Sequence, residues 1–163
     1  GDDPSTKDVV ETQFDRRVLK SSALQVQSTD EKVTRLISRK LINGVDQGDT
    51  EVSFTEQVKK SGTDTYGSLT LNAAFGIAEG DTTWGDINYV KTWSGSFSGT
   101  LTSEAYQVQS KDENVTRMIS EKVIEGTVQS GKASYIEQTK KSLDARFGTT
   151  QTWGDSFEVK TWD

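Results

Sequence analysis

The sequence contains itself twice. Gln25–Ser28 reads QVQS, and so does Gln107–Ser110. From there DEKVTRLISRKLING (Asp30–Gly44) aligns with DENVTRMISEKVIEG (Asp112–Gly126) at an offset of 82. SFTEQVKKS (Ser53–Ser61) aligns with SYIEQTKKS (Ser134–Ser142) at an offset of 81, and Tyr66-Gly67 matches Phe147-Gly148. The copies rejoin at TWGDINYVKTW (Thr83–Trp93) and TWGDSFEVKTW (Thr152–Trp162), at an offset of 69. The drop from 81 to 69 places a 12-residue insertion in copy one, SLTLNAAFGIAE, near residues 68–79.

A looser match, Leu19 with Leu101 and Ala23 with Ala105, adds one more segment to the front of each copy. The units are then residues 12–93 and 94–163, with residues 1–11 left as a polar N-terminal tail. A repeat constrains the fold before any other feature, because whatever the first unit forms the second must form too. Two units are too few for a solenoid, in which each repeat leans on several neighbours. The expectation is one pseudo-symmetric domain, with each unit covering the apolar face of the other.

Composition supplies the element type. Thr and Val are common, Ala and Leu scarce, and Pro4 is the single proline of the 163 residues. Side chains of the Thr and Val kind suit a pleated, half-buried surface. Leu101, Ser103, Ala105 and Gln107 alternate with their neighbours, and INYVKTW and SFEVKTW lie between glycine-containing turns, as strands do. The insertion reads as an extra hairpin or a long strand.

One stretch in each copy admits two readings. Ser28-Thr-Asp-Glu31 and Ser110-Lys-Asp-Glu113 have the S-x-x-E form of a helix capping box. Val33, Leu36, Ile37 and Leu41, like Val115, Met118, Ile119 and Val123, follow helical spacing, and Gly44 and Gly126 stand where a helix stop wants glycine. The copies differ most at Lys32/Asn114, Arg39/Glu121 and Asn43/Glu125, positions that fall on one stripe of a helix. Against this, Asn43-Gly44 is a two-residue hairpin signal and VTRLISRKLI is rich in β-branched residues. The expected fold is therefore mainly β and sandwich-like, internally duplicated, with up to two short amphipathic helices at about 29–43 and 111–125. The strand alternative stays open for 31–42 and 113–124.

Charge and residue content narrow the function. The net charge of −6 disfavours nucleic acid and anionic membranes as partners. No apolar run approaches the length of a membrane-spanning helix. Cysteine and histidine are both absent, which removes disulfides, thiolate nucleophiles, the usual general base and the commonest transition-metal ligands. No phosphate-binding glycine loop is present. The chain reads as a non-enzyme. Its Ser, Thr, Gly and Gln content points to a secreted or extracellular product.

Two constellations could still carry a ligand. W-G-D-x-x-x-V-K-T-W occurs at Trp84–Trp93 and Trp153–Trp162 and holds all four tryptophans. Trp84, Trp93, Trp153 and Trp162 could stack on sugar faces while Asp86 and Asp155 bind hydroxyls, although core tryptophans beside a Gly-Asp turn explain the same text. Asp46, Asp49 and Glu51, and Glu79 and Asp81, form acidic groups of the kind calcium accepts, without EF-hand spacing; solvated acidic loops explain them equally. No other cofactor is indicated.

Three roles fit. The favoured one is a non-catalytic, extracellular, self-assembling structural subunit of a fibre, tube, coat or adhesive, calcium-dependent if the acidic groups bind. In it the stretch VVETQF (Val9–Phe14) could pair with a neighbour's exposed sheet edge. The second is a secreted carbohydrate-binding module with a Trp-based site in each repeat. The third is a β-pore-forming protein.

Overall fold

The computed structural model describes residues 18–48, 52–150 and 152–163. Eight strands make one antiparallel sheet in strict chain order. Copy one supplies β1 (Ser22–Gln27), β2 (Val33–Arg39), β5 (Val52–Lys60) and β8 (Trp84–Ser94). Copy two supplies β9 (Thr100–Ser110), β10 (Val115–Glu121), β13 (Ser134–Lys141) and β14 (Ser156–Trp162). Three two-stranded ribbons ornament the loops: β3 (Leu41–Ile42) with β4 (Val45–Asp46), β6 (Thr65–Tyr66) with β7 (Leu69–Thr70), and β11 (Val123–Ile124) with β12 (Thr127–Val128).

The mainly β expectation holds; the expected sandwich-like layering, with each unit covering the apolar face of the other, is not formed, because β8 and β9 pair and merge both units into one continuous sheet. Because every pairing is antiparallel and each unit has four strands, equivalent strands run in the same direction. Directly opposed residues share a face, so the register also assigns sides. Arg35 and Arg117, like Phe54 and Tyr135, fall on the same face. The units are thus related by a shift along the sheet. They meet through β8 and β9, edge to edge.

The helices expected at about 29–43 and 111–125 are not formed; β2 and β10 occupy their centres. The capping-box serines serve hairpin loops instead. Ser28 Oγ donates to Asp30 (2.6 Å) and accepts from the Val33 N–H (3.0 Å), while Asp30 accepts from the Lys32 N–H (3.0 Å). Copy two repeats this with Ser110, Asp112, Asn114 and Val115 at the same distances. Glu31 and Glu113 turn the loops at φ 63° and 64°. Asn43-Gly44 and Glu125-Gly126 have positive φ at both residues, as the hairpin turn of type I′ requires. The three divergent positions that mimicked a helix stripe are a loop, a strand face and a turn tip.

The insertion also departs from expectation. It holds the second strand of the β6–β7 ribbon and then helix α1 (Leu71–Phe75). Thr70 caps it by accepting from the Ala73 N–H (3.2 Å), and Gly76 ends it in the left-handed region. Leu71 and Phe75, four apart, point at the sheet. With Ile87, Val108 and Ile119 they are the buried hydrophobic side chains among the described residues. The insertion of copy one therefore seals the sheet face of copy two as well as its own last strand.

Two substitutions test this reading. Leu71→Ala empties a fully buried position and should cost about 2–5 kcal/mol in denaturant unfolding, whereas Leu69→Ala, at a half-exposed position, should stay within about 0.5 kcal/mol. Glu125→Asn, which gives copy two the turn residue of copy one, should raise the melting temperature, because Asn tolerates positive φ where Glu is strained.

Candidate functional site

Two rows of side chains cross the sheet face beneath α1. Val33, Val58, Tyr89, Tyr106, Ile119, Tyr135 and Trp162 stand opposite one another in turn from β2 to β14. Beside them run Arg35, Glu56, Lys91, Glu104 and Glu121. Glu104 and Glu121 are opposed carboxylates, and each meets a phenol: Tyr66 donates to Glu121 and Tyr89 lies against Glu104. Burial first, and then those carboxylates, push both phenols above their ordinary range. The other face carries amides and hydroxyls, among them Gln57, Asn88, Gln107, Gln109 and Gln138.

Arg35 and Arg117 hold equivalent places and do equivalent things. Arg35 Nε lies 2.8 Å from Glu56, and Arg117 Nε 2.9 Å from Glu137. Their flat sides differ in what they meet. The Arg35 guanidinium lies 4.8 Å from the Phe97 ring, whereas Arg117 lies 4.6 Å from Trp84 and donates to the Phe75 carbonyl (2.8 Å). Phe97, in the β8–β9 loop, also packs edge-on against Phe54 (5.2 Å) and Trp93 (6.1 Å). The counterparts of Phe54, Trp93 and Arg35 in copy two are Tyr135, Trp162 and Arg117. They line an open groove of about 460 Å³ between α1 and the β14 edge, together with Ala73, Phe75 and Lys160.

The outermost strands, β1 and β14, each pair on one side only among the described residues. Exposed sheet edges are normally guarded by charge, proline or a bulge. β1 reads SALQVQ and has neither charge nor proline; its Leu24 and Val26 are more than half exposed. On β14, Val159 is 58% and Trp162 50% exposed. Its Glu158 and Lys160 pair with each other at 3.4 Å. These edges, with the groove at Trp162, are the surface features that ordinary protein architecture would leave covered.

The ligand residues read from the W-G-D motif fall in separate places. Trp84 lies on Arg117 and Trp93 on Phe97, at opposite ends of β8, which at about 3.3 Å per residue are some 30 Å apart. Asp86 pairs with Lys59 (3.8 Å) and Asp155 with Lys140 (3.5 Å), the same ion pair in both copies, on the opposite face from the tryptophans of β8. Trp153 precedes β14 and is 55% exposed. Of the ligand residues read from the motif, Trp162 lines the groove, beside Lys160 of the same motif.

The acidic groups are dispersed as well. Asp46 accepts from the Ser22 hydroxyl (2.7 Å) and the Gly48 N–H (2.7 Å), and Asp81 from the Thr83 N–H (2.9 Å) and hydroxyl (2.7 Å). Glu79 is exposed, while Asp49 and Glu51 lie outside the described residues. Among the described residues no three acidic side chains gather as metal ligands. No described helix is long and apolar enough to cross a membrane.

Comparison with known proteins adds nothing: no family model matches the chain, and no curated protein or solved structure does either.

The loop carboxylates make stability depend on acid. Asp30 and Asp112 are held below the ordinary 3.8, first by the serine hydroxyls and then by the loop N–H groups. Asp46 and Asp81 are lowered in the same way by Ser22 and Thr83. A carboxyl whose folded pKa is depressed stabilises the fold above its unfolded value and loses that contribution as pH falls through the folded one. The melting temperature should therefore hold from neutrality to about pH 5 and drop below about pH 4. Asp30→Asn with Asp112→Asn should flatten that drop in a pH series of thermal melts.

Proposed function

We propose that this chain is a non-catalytic, self-assembling structural subunit that extends a β-sheet by adding copies edge to edge. The observation that carries the reading is the four-strand repeat placed side by side in one sheet, with both outer edges unpaired among the described residues. In such an array one unit already serves as the edge partner of the next. The join between β8 and β9 is a working instance of that contact within a single chain. The uncharged β1 edge and the exposed Leu24, Val26, Val159 and Trp162 support it further, since an edge of this kind invites another strand. A head-to-tail contact that does not close on itself builds a filament.

Light scattering on the chain across a concentration series tests the proposal. Molar mass should rise with concentration, and electron microscopy should show elongated particles. Val26→Lys with Val159→Lys places a charge on each edge at exposed positions, and should give a monomer whose unfolding free energy stays within about 0.5 kcal/mol per site. A wild-type chain that stays monomeric up to the limit of its solubility would overturn the reading.

A further inference from the structure

The join inside the chain specifies what a join between chains must look like. Within the chain, β8 meets β9 with Ile87 opposite Val108, Val90 opposite Ala105, Lys91 opposite Glu104 and Trp93 opposite Leu101. The repeat offsets carry β8 onto β14 and β9 onto β1. Val90 becomes Val159, Trp93 becomes Trp162, Ala105 becomes Ala23 and Leu101 becomes Leu19. A second copy that docks its β1 on β14 in this register sets Val159 opposite Ala23 and Trp162 opposite Leu19.

The join has a second component. As the chain passes from β8 into β9, Phe97 drops into the niche formed by Phe54, Trp93 and Arg35. The matching niche in copy two, formed by Tyr135, Trp162 and Arg117, is the open groove. Among the described residues no aromatic side chain occupies it as Phe97 occupies the first. The repeat offset of 82 carries Phe97 onto Asp15, whose neighbour is Phe14; both lie outside the described residues. We propose that the groove at Trp162 receives Phe14 of a second copy whose β1 pairs with β14 in the register that β9 makes with β8.

This rests on the self-assembly reading and narrows it to one contact. The contact between copies is weaker than the one within the chain. Glu158 and Leu24 stand where Tyr89 and Tyr106 stack at 4.4 Å, and Ser22 stands where Glu104 faces Lys91. The aromatic anchor then carries much of the affinity, as a buried aromatic at the centre of a small interface does.

The absence of native cysteine makes disulfide trapping clean. Antiparallel partners have Cα atoms about 4.5–5.5 Å apart, within the span of a disulfide. Two single-cysteine variants, Ala23→Cys and Val159→Cys, are mixed under mild oxidation, and the covalent dimer is quantified by mass. The mixture should give a disulfide dimer that neither variant gives alone. Leu24→Cys mixed with Val159→Cys, on opposite faces, should give little. Phe14→Ala or Trp162→Ala in the same backgrounds should lower the yield about tenfold, the usual scale for truncating an interface anchor; Trp162 is half exposed and can be changed without touching the buried core.

Growth of wild-type assemblies with no Ala23–Val159 disulfide would overturn the inferred contact and leave self-assembly standing. Equal trapping at Leu24, or a dimer from Val159→Cys alone, would do the same, the latter by marking an edge that pairs with itself. Full trapping in the Phe14→Ala and Trp162→Ala backgrounds would overturn the aromatic anchor. A chain with neither assemblies nor disulfides would overturn both.

Discussion

The ladder between β8 and β9 is the contact on which the rest of the molecule depends. It joins the two longest strands, Trp84–Ser94 and Thr100–Ser110, and makes one sheet from two copies that would otherwise be separate four-stranded meanders. Its side chains are also well matched across the seam. Tyr89 stacks on Tyr106 with rings 24° from parallel, Lys91 faces Glu104, and Ile87 and Val108 meet under α1. The register relaxes twice, next to Trp84 and next to Thr92, where Thr102 donates back to the Thr92 carbonyl (3.0 Å). Those irregularities bracket the seam and leave its middle in strict register.

Among the described residues, cover over the Arg35–Arg117 face of the sheet is thin and comes from two loops. On copy one Phe97 lies across Phe54, Trp93 and Arg35; α1 lies across Ile87 of β8 and, on copy two, Val108 and Ile119. Arg117 ties the second cover down by bonding the Phe75 carbonyl at the end of α1 and stacking on Trp84. A short helix of five residues has little stability of its own. It persists here because its two apolar side chains are buried and its termini are capped by Thr70 and Gly76. The same arginine in copy one has no helix to hold, and it meets Phe97. One residue type at one place thus performs two jobs, set by which loop lies above it.

The β class and the strands around Leu101–Gln107, Ile87–Trp93 and Ser156–Trp162 were legible in the sequence, because the repeat, the β-branched content and the turn signals agree there; the joining of both units into one sheet was not, since edge-to-edge and face-to-face packing leave the same pattern in each copy. What misled was local chemistry that two structures share. Ser-x-Asp-Glu satisfies free N–H groups whether they belong to a helix start or to a hairpin loop, and only the loop puts Glu31 and Glu113 at positive φ. Asn43-Gly44 carried the decisive information and was outweighed by helical spacing that four residues can produce by chance. The insertion was misread for a related reason. Leu71 and Phe75 at helical spacing, with Thr70 before and Gly76 after, were written in the text, but the strand-rich surroundings hid them. The groove at Trp162 had no signature of its own. It follows from comparing the surroundings of two equivalent tryptophans, which requires coordinates.

The insertion also has a bearing on how such a sheet can be varied. The β5–β8 connection spans residues 61–83 in copy one, while its counterpart between β13 and β14 spans 142–155, and both lead into strands of corresponding register. Length in this loop is therefore uncoupled from strand pairing. Since equivalent strands point the same way, equivalent loops lie along the same rim. Four strands at about 4.8 Å separate them by roughly 19 Å. A foreign peptide grafted into these loops would be displayed at that spacing along one side, a ruler laid down by the backbone itself.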